Sequence, residues 1–88
     1  MCTMIVEKIK IDGSGKGREG WFPLAGANVS YDHPFHAPYE HTLNIDFVNE
    51  SQGLSSRVAV ELGADAARKL AETILAVLDR AEAEGQLV

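Results

Sequence analysis

The sequence has a single cysteine, no long apolar run and fewer basic than acidic side chains, and each shortage excludes a class of protein. One cysteine, Cys2, cannot form a disulfide within the chain, which favours a reducing compartment such as the cytoplasm. No stretch approaches the roughly 18 consecutive apolar residues that a membrane span requires, and the first residues lack the apolar core of a signal peptide. We therefore expect a cytoplasmic protein without a membrane segment.

The charge balance argues against nucleic acid as a partner. Eight Lys and Arg side chains stand against 13 Asp and Glu, which gives a formal net charge of −5. Nucleic-acid binding, in contrast, depends on neutralising phosphates with basic side chains. Lys8, Lys10, Lys16 and Arg18 lie near the start of the chain, so a local basic patch remains open. Binding of single-stranded nucleic acid is accordingly the least supported hypothesis.

The composition is that of one small folded domain. The chain has 88 residues, of which 45% are hydrophobic and 24% charged, and these proportions are typical of a globular protein. That length predicts a single domain over residues 1–88. A chain this short buries only roughly 60 to 65% of the surface that its unfolded form exposes, so a partner subunit would add stability.

Alternating apolar and polar side chains predict four strands, over residues 3–11, 21–32, 41–48 and 57–62. The third strand is the clearest, because Leu43, Ile45 and Phe47 alternate with polar residues. Loops are expected over the segments between the strands, at residues 12–20, 33–40 and 49–56. The first of these loops contains four glycines and is expected to be flexible.

The C-terminal segment predicts one amphipathic helix, which begins near Ala64 or Asp65 and ends at Gly85. Its apolar side chains recur at steps of three and four residues, at Ala67, Leu70, Ala71, Ile74, Val77, Leu78 and Ala81. Charged residues occupy the other side of this helix. No internal repeat or low-complexity segment is present.

The predicted fold class is α+β: a four-stranded antiparallel sheet followed by one C-terminal amphipathic helix, in the order β-β-β-β-α. The helix is expected to lie across the face that carries Ile45, Phe47, Val58 and Val60. Four strands span on the order of 15 to 19 Å, whereas one helix covers only about 10 to 12 Å. Either the sheet curls strongly around the helix or a second copy completes the core, and we expect a homodimer.

All three histidines, His33, His36 and His41, fall within nine residues. Imidazole is the commonest protein ligand for zinc, copper, nickel and iron, and three such ligands with an open fourth position are typical of a catalytic zinc site. Pro34 and Pro38 restrict the residues before them, so less entropy is lost when the side chains converge on an ion. We predict that these histidines bind one divalent transition metal. In the alternative, they cap strand ends and hydrogen-bond to the backbone.

Two further residues are candidates for catalysis. Glu40 would be a metal ligand, a partner that orients an imidazole, or a general base. Removal of Met1 would leave Cys2 at the N-terminus, where its amine and thiolate would chelate a metal or act as a nucleophile. In the structural alternative, Cys2 is a small apolar residue that opens a strand.

The glycine-rich segment contains three candidate ligand-binding residues, Lys16, Arg18 and Trp21. Its backbone N–H groups, with either basic side chain, would bind an anion, and Trp21 would stack on an aromatic ligand. The P-loop spacing is absent, and a mobile hairpin tip is the alternative. A polar strip across the second and third strands would line a small-molecule cleft if another copy packs opposite: Asn28, Ser30, Thr42, Asn44 and Asp46.

Four segments resemble a family of small bacterial proteins known only as a domain of unknown function. They are M-C-T at the start, G-R-E-G-W-F, D-H-P-F-H-A-P-Y-E-H and L-N-I-D-F-V-N. The resemblance spans almost the whole chain and implies no substrate, cofactor or activity. The element order is also similar to that of dimeric single-strand-binding transcription cofactors, but only as topology, and topology does not carry function.

Two functional hypotheses follow, and the sequence leaves open whether the protein is an enzyme. The first is a small cytoplasmic metal-binding protein or metalloenzyme that uses the histidine cluster, with the metal as a Lewis acid or water activator. The second is a non-catalytic dimeric module that binds a small molecule or a protein partner.

Overall fold

The fold consists of one long hairpin, two shorter strands and a helix. The computed structural model describes residues 5–53 and 55–87. Its elements are β1 (Ile5–Gly17), β2 (Gly20–Asp32), β3 (Thr42–Val48), a 3-10 turn (Glu50–Gln52), β4 (Arg57–Leu62) and α1 (Ala64–Ala83). All neighbouring strands are antiparallel, in the order β1-β2-β3-β4. The predicted α+β architecture, a four-stranded antiparallel sheet followed by one C-terminal helix, is therefore confirmed.

The bounds of β3, β4 and α1 follow the periodicity of the sequence closely. β3 begins at Thr42, one residue later than predicted, and α1 begins at Ala64. Gly85 adopts a φ of 71° just after the helix, a left-handed conformation that glycine reaches without steric strain. The N–H of Gln86 then donates to the carbonyl of Ala81 at 2.8 Å, which satisfies an otherwise unpaired carbonyl at the end of the helix.

The glycine-rich segment, residues 12–20, is mostly strand and not the expected flexible loop. After a bulge, β1 continues through the segment to Gly17. A Cβ on Gly15 would lie 3.0 Å from the Leu24 side chain, and one on Gly17 would lie 3.0 Å from the Phe22 ring. Glycine at these positions therefore makes room for apolar side chains of β2. The prediction of a loop before Gly17 is therefore wrong. The glycines are needed for close packing against β2, and they do not interrupt the strand.

The cross-strand register determines which side chains share a face, because directly opposed residues point the same way. One face, called here the apolar face, carries Glu7 as its one charged residue together with Ile5, Ile9, Ala27, Val29, Tyr31, Leu43, Ile45, Phe47, Val58, Val60 and Leu62. The opposite face, called the polar face, carries Asn28, Ser30, Asp32, Thr42, Asn44, Asp46, Arg57, Ala59 and Glu61.

Helix α1 lies against the apolar face, at the end where β3 begins and β4 ends. Its first half and the sheet line a groove formed by Val29, Leu43, Ile45, Leu62, Ala67, Arg68, Leu70, Ala71 and Ile74. Of the four residues expected under the helix, the groove therefore includes Ile45 but not Phe47, Val58 or Val60. Every residue that the structure describes in α1 stays at least partly exposed. In the described part of the chain, no helix is long and apolar enough to cross a membrane.

The other end of the sheet bends, so that β1 approaches β4. A Cβ built on Gly17 would lie 3.3 Å from the carbonyl oxygen of Ser55 and 3.4 Å from that of Arg57. Phe22 is buried at this end, and within residues 5–53 and 55–87 only Phe22 and Ala27 are buried apolar residues. Strong curling is therefore present at one end of the sheet, but it encloses a small core.

Candidate functional site

The polar face of the sheet and the loop that follows β2 enclose a cleft of about 650 Å³, called here the polar cleft. The strands contribute Ser30, Asp32, Asn44, Asp46, Arg57, Ala59, Val60 and Glu61, and the loop contributes His33, Phe35, His36 and Ala37. Sites for small molecules typically measure about 300 to 1,000 Å³ and combine apolar walls with a few well-placed polar groups. The polar cleft has both properties.

One side chain attaches the loop that follows β2, and that covers the polar cleft, to the sheet. The backbone N–H groups of Phe35, His36 and Ala37 all donate to the carboxylate of Glu61, over distances of 2.5, 3.0 and 2.9 Å. Successive N–H groups that point at one anion form a nest, a common anion-binding arrangement of the backbone. In this protein the nest holds a carboxylate of the chain itself, so the loop is fixed onto β4.

These hydrogen bonds change the acidity of Glu61. The N–H groups of Ala37 and then Phe35 are the largest causes that lower the pKa of its carboxyl below the usual value. Desolvation acts in the opposite direction, while the N–H and the charge of His36 lower the pKa further. Hydrogen bonds to a carboxylate favour its charged form, so Glu61 is ionised at neutral pH.

Two local contacts restrain the loop. At its start, the N–H of His33 donates to Oδ1 of Asp32 at 2.7 Å. Across its ends, Nδ1 of His33 lies 3.0 Å from the carbonyl oxygen of Glu40. Hydrogen bonds between side chains and nearby backbone hold a loop in one conformation. The loop is therefore held at its ends as well as at the nest.

An ion pair lies on the floor of the polar cleft. The guanidinium of Arg57 contacts Oδ1 of Asp46 through Nη2 at 2.8 Å and through Nε at 3.1 Å. The lining as a whole contains three carboxylates, on Asp32, Asp46 and Glu61, and the single guanidinium of Arg57. These four groups therefore carry two negative charges in excess.

The structure brings two of the three histidines together. The rings of His33 and His41 stack with centroids 4.5 Å apart and an interplanar angle of 28°. Tyr31 also stacks with His41, at 5.8 Å and 15°. Nδ1 of His33 lies 3.0 Å from the backbone carbonyl oxygen of Glu40. His36 lines the polar cleft, as His33 does.

This arrangement bears on the predicted metal site. Stacked imidazoles direct their nitrogen lone pairs within nearly parallel planes, whereas ligands of one ion direct their lone pairs at one point. Among residues 5–53 and 55–87, no group of three His, Cys, Asp or Glu side chains is arranged to hold a metal ion. Metal ligation by His33, His36 and His41 stays a prediction, while the contact of His33 with the Glu40 carbonyl fits the alternative of backbone bonding at strand ends.

The other candidate residues lie apart from the polar cleft. Lys16 pairs with Trp21 across the β1–β2 hairpin, and Arg18 lies in its turn. Trp21 is 70% exposed, and none of these three residues lines the polar cleft. Glu40 is exposed and offers its backbone carbonyl to His33. Cys2 lies outside the described residues.

Sequence reasoning missed Glu61, Arg57 and Phe35. The alternation along β4 places Arg57 and Glu61 on the same face as the polar strip of β2 and β3, so extending that strip by one strand would have found both. Phe35 is almost wholly exposed at the rim of the polar cleft. No periodicity marks it, because it lies in a loop.

Comparison with known proteins gives one result. Neither the curated proteins nor the solved structures include a match to this chain. A family model described as a family of unknown function, DUF6295, matches residues 1–87, which confirms the resemblance to a domain of unknown function over most of the chain. The chain therefore belongs to the family of unknown function DUF6295.

Proposed function

We propose that the protein is a non-catalytic binding module whose polar cleft holds a small molecule that carries a positive charge. The observation that carries this proposal is the convergence of β2, β3, β4 and the fastened loop on one cleft of about 650 Å³. Its lining combines hydrogen-bonding side chains with the apolar groups of Phe35 and Ala59. Such a mixture suits a small organic molecule with both polar and apolar parts.

The charge of the lining favours a cation. Three carboxylates face one guanidinium, and that guanidinium is already paired with Asp46. Two unit charges 4 Å apart interact by about 1 kcal/mol in bulk water and by about 4 kcal/mol at the effective dielectric typical of a protein surface. An amine or guanidinium group is therefore attracted to the polar cleft, and a phosphate or carboxylate is repelled.

Uncharged groups of the lining add specific contacts to this attraction. The Ser30 hydroxyl and the Asn44 amide line the floor and offer both donors and acceptors. The Phe35 ring is 99% exposed at the rim, where it would contact the bound molecule. A cation over an aromatic face gains about 0.5 to 1 kcal/mol at an exposed site.

The state of the carboxylates favours binding over catalysis. Glu61 accepts three backbone N–H groups, Asp32 accepts one, and Asp46 is paired with Arg57. A general base works best when its pKa lies near the operating pH, whereas the pKa of Glu61 is lowered. These carboxylates therefore serve to hold the loop and to set the potential of the polar cleft.

Isothermal titration calorimetry tests this proposal with two probes of opposite charge. Agmatine carries an amine and a guanidinium, and AMP carries a phosphate. We expect saturable binding of agmatine at one site per chain and no binding of AMP at low ionic strength. Saturable binding of AMP, or no binding of agmatine at millimolar concentration, contradicts the proposal.

Two variants that each remove one negative charge distinguish the effect of the polar cleft from the effect of the net charge. Asp32→Asn removes a carboxylate from the lining and should weaken agmatine binding by about three- to tenfold. Glu19→Gln removes the same charge from the turn of the β1–β2 hairpin and should leave the affinity unchanged. Equal losses in both variants would mean that net charge, and not the polar cleft, attracts the probe.

A further inference from the structure

The chain exposes more surface than a monomer of its size. Its accessible surface is 7118 Å², whereas a monomer of 9.5 kDa exposes about 5,000 Å². Its radius of gyration is 14.8 Å, compared with about 12 Å for a compact domain of this length. Roughly 2,000 Å² that a chain of this size normally buries is therefore exposed.

Much of the exposed apolar surface lies on the side of the sheet that α1 covers in part. The exposed large side chains there are Ile5 and Ile9 of β1 and Leu70, Ile74, Leu75 and Leu78 of α1. The largest apolar patch of a typical soluble monomer measures about 300 to 600 Å². An amphipathic helix also gains most of its stability from packing its apolar side, and in α1 that side is only partly packed.

Two features of this surface can fit each other in a pair of chains. The groove between α1 and the sheet has a volume of about 330 Å³ and an almost entirely apolar lining, with Arg68 as its one charged residue. Leu78 continues the row of Leu70 and Ile74, at steps of four residues, beyond the groove, and its exposed side chain forms an apolar ridge there. In a symmetric pair, the ridge of each chain can fill the groove of the other.

We propose that a second copy of this chain covers the apolar face, with the Leu78 ridge of each protomer packed into the groove of its partner. A two-fold axis makes this contact twice, because such an interface uses the same patch on both subunits. Burial of about half of the excess, roughly 1,000 Å² per chain, already gives about 2,000 Å² in total, the lower end of the range of obligate homodimers. The near absence of charge in the groove is also typical of obligate interfaces.

The polar cleft lies on the opposite face of the sheet, so the pairing leaves it open. The dimer and the binding of a cation are therefore independent, and failure of one does not decide the other.

Sedimentation equilibrium of the full chain tests the pairing. We expect a mass of twice 9.5 kDa at micromolar concentration. Leu78→Glu places a charge on the ridge and should raise the dimer dissociation constant at least about tenfold. Ala76→Glu is the matched control: it adds the same charge on the polar side of α1, beside Lys69 and Arg80, and should leave the dimer intact.

A milder variant, Leu78→Ala, keeps the test decisive if the glutamate prevents folding. It removes only part of the ridge and should still weaken the dimer several-fold, with the helical circular dichroism signal of the wild type. A wild-type monomer up to about 100 µM, the weak end of transient association, contradicts the proposal. So does a folded Leu78→Glu protein that stays dimeric, or equal dissociation of the Ala76→Glu control.

Discussion

The carboxylate of Glu61 in β4 accepts the backbone N–H of Ala37 at 2.9 Å, although 24 residues separate them in sequence. The neighbouring N–H groups of Phe35 and His36 donate to the same side chain. Glu61 thus attaches the loop to the sheet and holds the loop over the polar cleft.

We expect Glu61→Gln to loosen this loop without unfolding the sheet. The amide keeps one acceptor oxygen but loses the negative charge, and hydrogen bonds to a charged group are roughly twice as strong as neutral ones. Hydrogen exchange at neutral pH should become faster at the amides of residues 35–37 and stay unchanged in β3. Unchanged protection at residues 35–37 would show that the carboxylate does not hold the loop.

The same contact predicts a dependence on pH. Because the folded pKa of Glu61 is lowered from its usual 4.5, its contribution to folding is complete above about pH 4.5 and is lost as the pH falls through the lower, folded pKa. The amide NMR signals of residues 35–37 should therefore shift with a midpoint below 4.5. Glu61→Gln should abolish this transition, and a midpoint above 4.5 would contradict the assignment.

Gly17→Ala should destabilise the protein by about 1 to 3 kcal/mol, the usual range for inserting a methyl group into packed surroundings. The new Cβ would meet the Phe22 ring at 3.0 Å and the backbone carbonyl of Ser55 at 3.3 Å, and the backbone cannot move aside easily. Lys16→Ala, in the same strand at an exposed position, is the control and should change stability by less than about 0.5 kcal/mol.

Urea unfolding at one fixed protein concentration measures both variants, since a dimer makes stability depend on concentration. Equal stability of the Gly17→Ala and Lys16→Ala proteins would mean that the curled end of the sheet is loosely packed.

The sequence predicted the elements whose pattern is local. The alternation of apolar and polar residues predicted the bounds of β4 and, to within one residue, those of β3. The three- and four-residue steps, with Gly85, predicted α1. The glycines at positions 13, 15 and 17 also have a period of two, which is the period of a strand. Glycine content alone predicts a loop there, whereas this spacing indicates the strand that the structure shows.

The site was less predictable, because its contacts are long-range. The polar strip already contained Ser30, Asn44 and Asp46, all of which line the polar cleft. The bond between the loop and Glu61 joins backbone groups to a side chain 24 to 26 residues away, and no spacing in the sequence encodes it. Proximity of the histidines in sequence likewise did not fix the orientation of their rings.

The metal prediction has a direct test in the metal content of purified, untagged protein. The cleft proposal requires no resident metal, so we expect far less than one ion per chain and the same content in a His36→Ala variant. Near-stoichiometric zinc, copper, nickel or iron that disappears in His36→Ala would favour the metalloprotein hypothesis instead. His36 is the informative position because its ring is not part of the stack between His33 and His41.

The ion pair on the floor offers two variants with opposite effects. Asp46→Asn leaves the guanidinium of Arg57 unpaired and should weaken agmatine binding. Arg57→Ala leaves the carboxylate of Asp46 unpaired and should strengthen it. Both should alter stability by no more than about 1 kcal/mol, as is usual for exposed ion pairs, so changes in affinity report the potential of the polar cleft and not unfolding.

Titration of ¹⁵N-labelled protein with agmatine, followed by amide NMR signals, tests the central claim most directly. The account predicts saturable shifts confined to residues 30–37, 44–46 and 57–61, reduced in Asp46→Asn and enhanced in Arg57→Ala. Shifts centred on α1 or on the β1–β2 turn, or no saturable shifts, would contradict it.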